Sequence, residues 1–231
     1  MIGSASFVSS QDQLRVSAFF SKVYIWMTGA LGVSALVAWY TAQSGLLLNI
    51  LKTSPGLIYG ALIAEVVVVL ALTWGLSRMS VGVASLMFVA YAALTGFTLS
   101  TIFLAYTMTS IATTFLLTGV TYGAMGMYGF ATSRNLGAWG GFLFMSLIGI
   151  ILASLVNLFL HSAMIDWMMA YAGVVVFAGL TAYDHQKLKA MCLMSGEQDF
   201  GRLSIYGALN LYLDFINLFL SLLRIFGRQR N

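Results

Sequence analysis

Residues 203–226 read LSIYGALNLYLDFINLFLSLLRIF, an apolar segment with a single carboxylate, Asp214, near its middle. A membrane-spanning helix needs roughly 20 predominantly apolar residues, so this segment is long enough to cross a bilayer. A carboxylate at the centre of such a helix costs about 2.5–3.5 kcal/mol on insertion scales. Because only 8% of the residues in this chain are charged, we expect Asp214 to have a functional role.

The polar residues of this segment share one face of the predicted helix. They follow one another at intervals of three or four residues: Gly207, Asn210, Asp214, Asn217 and Ser221. Such intervals place side chains one above another on an α-helix. In lipid this face must contact protein or water, so we predict that the helix is central and turns its polar face inward. The face is either a hydrogen-bonded contact between helices or the wall of a water-filled path, and the carboxylate favours the path.

Six further apolar segments precede this one. The chain has 231 residues, of which 60% are hydrophobic, and its mean hydropathy is +0.92, so lipid must surround most of it. The sequence predicts one all-α integral membrane domain, residues 20–226, between an N-terminal tail of residues 1–19 and a short basic tail of residues 227–231. The seven predicted transmembrane helices are Phe20–Thr41, Gly56–Leu76, Val81–Tyr106, Ser110–Ala131, Ala138–Leu160, Ile165–Leu188 and Leu203–Phe226.

The positions of the basic residues predict how the chain is oriented. Cytoplasmic loops of membrane proteins carry an excess of Lys and Arg. With a cytoplasmic N-terminus, most of the 11 basic residues lie on the cytoplasmic side: Arg15, Lys22, Arg78, Arg134, Lys187, Lys189 and Arg202. The three arginines near the C-terminus then lie outside, unless the last segment is re-entrant, and we favour a full span buried in the bundle. The net charge of +4 needs no nucleic-acid partner to explain it.

Asp184 and Glu65 also fall inside predicted spans, away from their first residues. Asp184 ends the sixth segment, where it either serves the function or forms a local pair with Lys187, three residues later. Glu65 lies near the centre of the second segment, where it is either functional or protonated and hydrogen-bonded to a neighbour. Arg78 could pair with Asp184 or simply mark the cytoplasmic side. Sequence spacing alone does not establish that Asp184 contacts Asp214.

The sequence does not predict an enzyme. An intramembrane aspartyl protease has a Gly-x-Gly-Asp motif on its second catalytic helix, whereas residues 211–214 read LYLD. The lone Cys192 excludes an internal disulfide, and the two histidines give no metal-ligand spacing with it. No nucleotide, flavin or metal-enzyme motif is present, so no cofactor is expected.

Four motifs resemble those of the Bax-inhibitor family of membrane proteins. The two most specific are residues 181–189, TAYDHQKLK, and residues 211–219, LYLDFINLF. KVY at residues 22–24 and ALTG at residues 93–96 agree with them. The resemblance covers essentially the whole chain, which looks like a compact bacterial member with an inner-membrane location.

The resemblance implies a seven-helix fold in which the last helix is surrounded by the other six. It also implies a pH-sensitive calcium leak that is gated by a pair of aspartates, here Asp184 and Asp214. Arg78 matches a family arginine that can latch to the aspartate of the sixth helix, and Glu65 resembles an acidic position of the second. His185 departs from the small polar residue that is commoner at its place.

Physical chemistry is consistent with such a pair. Two close carboxylates cannot both ionise cheaply, so one of them holds a proton and the titration belongs to the pair. Calcium takes about six to eight oxygen ligands. Asp184 and Asp214, with amide oxygens of Asn210 or Asn217 and water, would form a weak site that suits calcium as a permeant ion.

A second function is left open by the sequence. Some relatives modulate a membrane-bound ATP-dependent protease, and the intramembrane acids are not needed for that role. An exposed cytoplasmic segment would be needed instead, and residues 1–19 are the candidate. The expected partners are therefore the lipid bilayer, calcium and protons, with a membrane protease as the alternative.

Overall fold

The computed structural model describes residues 10–196 and 199–230, and over these residues the predicted helical class is confirmed. Residues 10–19 of the predicted N-terminal tail form the first turns of α1, while residues 1–9 lie outside the described residues. A 3₁₀ turn, Leu76–Arg78, follows α3. The helices are α1 Ser10–Gln43, α2 Leu46–Thr53, α3 Gly56–Gly75, α4 Val81–Leu99, α5 Ile102–Ala105, α6 Met108–Ala131, α7 Gly137–Leu160, α8 Ala163–Met194 and α9 Phe200–Phe226.

Within the described ranges, six helical segments are long and apolar enough to cross a membrane, and they correspond to six of the predicted spans. They are α1, α3, the α4–α5 segment, α7, α8 and α9. The remaining predicted span corresponds to α6, which is 24 residues long but rich in threonine and glycine. Its hydroxyls donate to carbonyls one turn earlier, as from Thr118 to Thr114 at 2.7 Å, which satisfies them without water. A helical membrane protein is thus supported, while the count of seven spans is not confirmed.

The predicted third span, Val81–Tyr106, is divided into α4 and α5. Ser100 and Thr101 occupy the break between the two helices. Their hydroxyls donate to the carbonyl oxygens of Phe97 and Thr98, at 2.6 and 2.8 Å. Hydroxyls that bond to the backbone in this way compete with the helical hydrogen-bond pattern. The segment therefore bends where two hydroxyl residues follow each other.

The last helix, α9, is the most buried of the six candidate spans. In its most apolar stretch 61% of the residues are buried, compared with 11% in α3 and in α7. It packs against α1, α4, α6 and α8, whereas α3 packs against α4 and α7 against α8. The residues of α9 therefore contact mainly protein, while α3 and α7 expose most of their side chains.

The residues after α9 lie beside the connection between α5 and α6. The backbone N–H of Arg228 donates to Ser110 Oγ at 2.9 Å, and its carbonyl accepts from the N–H of Thr107 at 3.1 Å. The N–H of Arg230 donates to the carbonyl of Ala105 at 2.9 Å. Because α9 is one continuous helix of 27 residues, it has no re-entrant break.

A glycine sets the distance between α6 and α8. A Cβ atom at Gly129 would overlap the backbone of Ala182, two residues before Asp184. Small residues allow the backbones of two membrane helices to approach this closely. Gly129 therefore positions the part of α8 that carries Asp184.

We expect Gly129→Ala to lower the free energy of unfolding by about 1–3 kcal/mol, the usual range for overpacking. Gly119→Ala on the same helix is the matched control, because a Cβ there meets nothing within 4 Å. Alanine also favours a helix over glycine by up to about 1 kcal/mol, so the control should be neutral or slightly stabilising. Thermal unfolding of both purified variants in detergent makes the comparison, and equal shifts would contradict the close contact.

Candidate functional site

Asp214 lies near the middle of α9, and the residue is only 5% exposed. One of its carboxylate oxygens, Oδ2, is buried and has no hydrogen-bond partner within the described chain. Both sequence neighbours, Leu213 and Phe215, are apolar. A buried carboxylate without a partner is costly unless it binds a proton or a cation. Asp214 is therefore a place where binding either one would lower the free energy.

The rest of the polar face of α9 is turned partly towards α8. A Cβ at Gly207 would contact Leu188 of α8 at 3.1 Å, and a Cβ at Gly173 of α8 would overlap the Ser221 side chain. Asn217 is half-buried and donates its Nδ2 to the carbonyl of Leu213 at 2.8 Å. Gly207 and Ser221 thus pack between helices, above and below Asp214.

Asp184 of α8 interacts electrostatically with Asp214 across the contact between α8 and α9. No hydrogen bond joins the two carboxylates among the residues that the structure describes. Asp184 is half-buried, and Lys187 interacts electrostatically with both aspartates. The two acids and one cation therefore form a single electrostatic group, although no ion pair within 4.0 Å links them in the described ranges.

The sequence predicts Lys187 as a cytoplasmic basic residue and as a local partner of Asp184, but it does not predict the interaction of Lys187 with Asp214. Its Nζ lies 3.4 Å from the hydroxyl of Tyr206 of α9. It also stands 5.8 Å from the ring centroids of Tyr183 and Tyr206. A cation over an aromatic face is attracted by the ring electrons, so the two tyrosines hold Lys187 between α8 and α9.

Arg78 and Glu65 are not brought to this group. Arg78 is exposed in the 3₁₀ turn after α3, and no ion pair to Asp184 occurs in the described part of the chain. Glu65 is half-buried on α3 and accepts a hydrogen bond of 2.5 Å from Thr98 Oγ1 of α4. The hydrogen bond makes Glu65 a link between α3 and α4. Of the two alternatives for Glu65, this contact fits a hydrogen bond to a neighbouring residue.

His185 is 1% exposed and points into the contact of α8 with α1. Its Nδ1 lies 2.7 Å from the carbonyl of Thr181, and its Nε2 lies 3.0 Å from the hydroxyl of Tyr24 of α1. A carbonyl only accepts, so the neutral ring donates from Nδ1 and accepts the Tyr24 hydroxyl at Nε2. The ring also stacks on Phe20 with centroids 5.9 Å apart. His185 therefore ties α8 to α1.

A second polar contact between distant segments fixes α9 against α1 and α4. The hydroxyls of Ser34 and Tyr212 are 2.7 Å apart, and Ser34 Oγ lies 2.7 Å from the carbonyl of Ala92. Both side chains are buried. Tyr212 precedes Asp214 by two residues, so the contact fixes the helix that carries the acid. Nothing in the spacing of the sequence connects residues so far apart.

The described residues contain no group of three or more His, Cys, Asp or Glu side chains that could hold a metal ion. Asn210 is half-buried on α9, four residues before Asp214. The carboxylates of Asp184 and Asp214, which interact electrostatically, offer hard oxygen ligands of the kind that calcium prefers.

Comparisons with known proteins cover almost the whole chain. The family model described as "Inhibitor of apoptosis-promoting Bax1" matches residues 16–231. The chain is 48% identical over 223 residues to the inner membrane protein YbhL of Escherichia coli, covering 95% of each chain. It is 42% identical over 215 residues to an uncharacterized protein of Rickettsia prowazekii, covering 92% of this chain and 90% of the relative. An uncharacterized protein of Deinococcus radiodurans is 42% identical over 223 residues, with 95% and 93% covered.

Proposed function

This chain belongs to the Bax inhibitor family of membrane proteins, and from that premise we propose that it is a pH-sensitive calcium leak channel gated by Asp184 and Asp214. The observation that carries the proposal is the buried Oδ2 of Asp214, which has no protein partner within the described residues. A carboxylate used only to join helices would be expected to have a hydrogen-bond partner. An acid that exchanges protons or passes cations keeps part of its bonding capacity free. The proposed role is passage of an ion, with no catalysis.

The electrostatic group explains why such a passage would respond to pH. Asp214 interacts with Asp184, and Lys187 interacts with both. When both acids are ionised their repulsion is only partly offset by one cation, and a hard cation is attracted between them. A proton on either acid removes that attraction. The occupancy of the passage by calcium is therefore expected to change as the pair titrates as one unit.

Calcium would be held weakly at this site. The two carboxylates and the amide oxygens of Asn210 or Asn217 supply fewer fixed oxygens than the roughly six to eight that calcium takes, so water completes its shell. Asn217 already uses its Nδ2 on α9 itself, which leaves its oxygen as an acceptor. Weak binding suits a permeant ion, because an ion must leave the site as readily as it enters.

We also propose that α6 is the seventh span and that α9 is the central helix. α6 is 24 residues long, lies between α5 and α7 in the chain, and packs against α8 and α9. The burial of α9 and its contacts with four other long helices support the central position. The N-terminus is then cytoplasmic in a bacterial inner membrane, as the bias of basic residues predicts.

We expect Asp214→Asn to reduce calcium flux into proteoliposomes at least about tenfold, the effect of weakening cation binding by about 1.4 kcal/mol. The amide keeps the shape of the side chain but removes its charge, so the folded yield should stay near that of the parent. Asp166→Asn is the matched control, because Asp166 is an exposed acid in the first turn of α8. Unchanged calcium flux in Asp214→Asn would contradict the proposed passage and would favour the alternative that the polar face of α9 only joins helices.

Three variants separate the residues that set the pH response. Asp184→Asn should flatten the flux–pH curve, because only one titrating acid remains. Lys187→Gln should shift the curve to higher pH, because the cation that favours the ionised acids is gone. Arg78→Gln should leave the curve nearly unchanged, since Arg78 is exposed and unpaired with Asp184 in the described ranges. A shift with Arg78→Gln and none with Lys187→Gln would instead support the latch implied by the family.

Reporter fusions at the two ends of the chain test the proposed topology. A cytoplasmic reporter should be active at the N-terminus, and a periplasmic reporter at the C-terminus, because seven spans place the ends on opposite sides. A fusion after Arg134, in the connection between α6 and α7, should again report the cytoplasm. A periplasmic signal at Arg134 with a cytoplasmic N-terminus would show that α6 does not cross.

A further inference from the structure

A cavity of about 1090 Å³ lies between α1, α6 and α8, and its lining residues do not include Asp184 or Asp214. Its volume lies slightly above the range of about 300–1000 Å³ that is usual for ligand pockets. Tyr24 and Met127, which line it, are 41% and 69% exposed, so the cavity opens on the flank of the bundle. Tyr24 belongs to α1, a candidate membrane span, and Met127 belongs to α6, the proposed seventh span.

The lining changes character along the helix axis. On α1, Gln13 and Ser17 are followed by Phe20 and Tyr24 on the same face, a distance of about 16 Å along the helix. The polar pair lies before the predicted span, and the aromatic pair lies within it. Val16 and Ser21 also line the cavity, so its end near Gln13 is the more polar and its end near Tyr24 the more aromatic, a gradient that fits an amphiphile.

Lys189 places a positive charge at the polar end. Its Nζ donates to the carbonyl of Phe130 at 3.1 Å and lies 4.5 Å from the centroid of the Phe130 ring. Among the described residues, no acid lines the cavity and no ion pair involves Lys189. The lysine charge is therefore oriented by α6 but not neutralised there, which leaves it able to bind an anion.

The inner part of the cavity is kept open by two glycines of α6. A Cβ at Gly126 would lie 2.8 Å from His185 Nε2, so this glycine makes room for the imidazole that contacts Tyr24. A Cβ at Gly123, which also lines the cavity, meets nothing within 4 Å. The space beside Gly123 is therefore not filled by a neighbouring helix.

We propose that this cavity binds one anionic phospholipid. Its phosphate lies at Lys189, and an acyl chain runs along Phe20 and Tyr24 past Gly123. The volume, the polar and apolar ends, the opening on the lipid-facing flank and the unneutralised charge each fit this occupant, and a soluble anion would leave the apolar end unfilled. Neither aspartate lines the cavity, although Tyr122, which does, interacts electrostatically with both. Lipid binding is therefore measured directly and not through calcium flux.

The experiment measures binding of phosphatidylglycerol to the purified full-length chain in a non-ionic detergent. Native mass spectrometry counts bound lipid, and thermal unfolding reports its stabilising effect. We expect one tightly bound phosphatidylglycerol and a rise in Tm that phosphatidylcholine reproduces only at higher concentration. Glycerol phosphate, which carries the headgroup without chains, should give no rise. Equal rises with the two phospholipids, or a full rise with glycerol phosphate, would overturn the proposal.

Two pairs of variants locate the site. Gly123→Leu should weaken binding at least about tenfold by filling the cavity, whereas Gly119→Leu, one turn away and also free of neighbours within 4 Å, should not. Lys189→Gln should weaken it about fivefold, the order expected for one basic residue beside an anionic headgroup, whereas Lys22→Gln should not, because Lys22 does not line this cavity. If Gly123→Leu and Lys189→Gln both bind phosphatidylglycerol as tightly as the unsubstituted chain, the lipid binds elsewhere and the proposal is wrong. The Lys189 variant keeps the test valid if the leucine variant fails to fold.

Discussion

The burial of one carboxylate in the least exposed helix is the constraint on which the rest of this structure depends. Asp214 is 5% exposed, and α9 is surrounded on several sides by α1, α4, α6 and α8. Lipid could not accommodate the ionised group, because charged groups at membrane depth are stable only beside protein, water or a counter-charge. The packing of four helices around α9 therefore creates the environment in which the acid exists, and it also isolates the acid from bulk water.

That packing depends on close contacts at a few positions. Gly129 lets α6 approach the backbone of Ala182, and Ser34 joins α1 to both Tyr212 and the carbonyl of Ala92. In a membrane, helices gain nothing from leaving lipid for an apolar partner, so such small-residue contacts and hydrogen bonds hold them together. The Gly129 contact is made at Ala182, two residues before Asp184. The Ser34 contact is made at Tyr212, two residues before Asp214. The scaffold and the acid group thus use the same interfaces.

The sequence predicted the features that depend on local composition. Apolar length located the six candidate spans, because it follows from the geometry of a single helix. The spacing of polar residues placed Asp214, Gly207 and Ser221 at buried positions of α9, whereas Asn210 and Asn217 on the same face are only half-buried. The break at Ser100 and Thr101 was missed, since two hydroxyls give a weak local signal. The contacts of Ser34 with Tyr212 and of Lys187 with both acids were missed for another reason. They join side chains whose proximity is decided by how helices pack, which spacing along one helix cannot reveal.

Neighbouring residues of α8 contact different helices. Consecutive residues on an α-helix point about 100° apart, since a turn takes about 3.6 residues. Asp184 accordingly interacts with Asp214 on α9, while His185 turns to Tyr24 on α1 and to the cavity beside α6. One turn further along, Lys187 likewise lies between α8 and α9, at Tyr206, whereas Lys189 lies at Phe130 of α6. The two lysines therefore place similar charges in different surroundings, while Tyr122 of α6, which lines the cavity, interacts electrostatically with both aspartates.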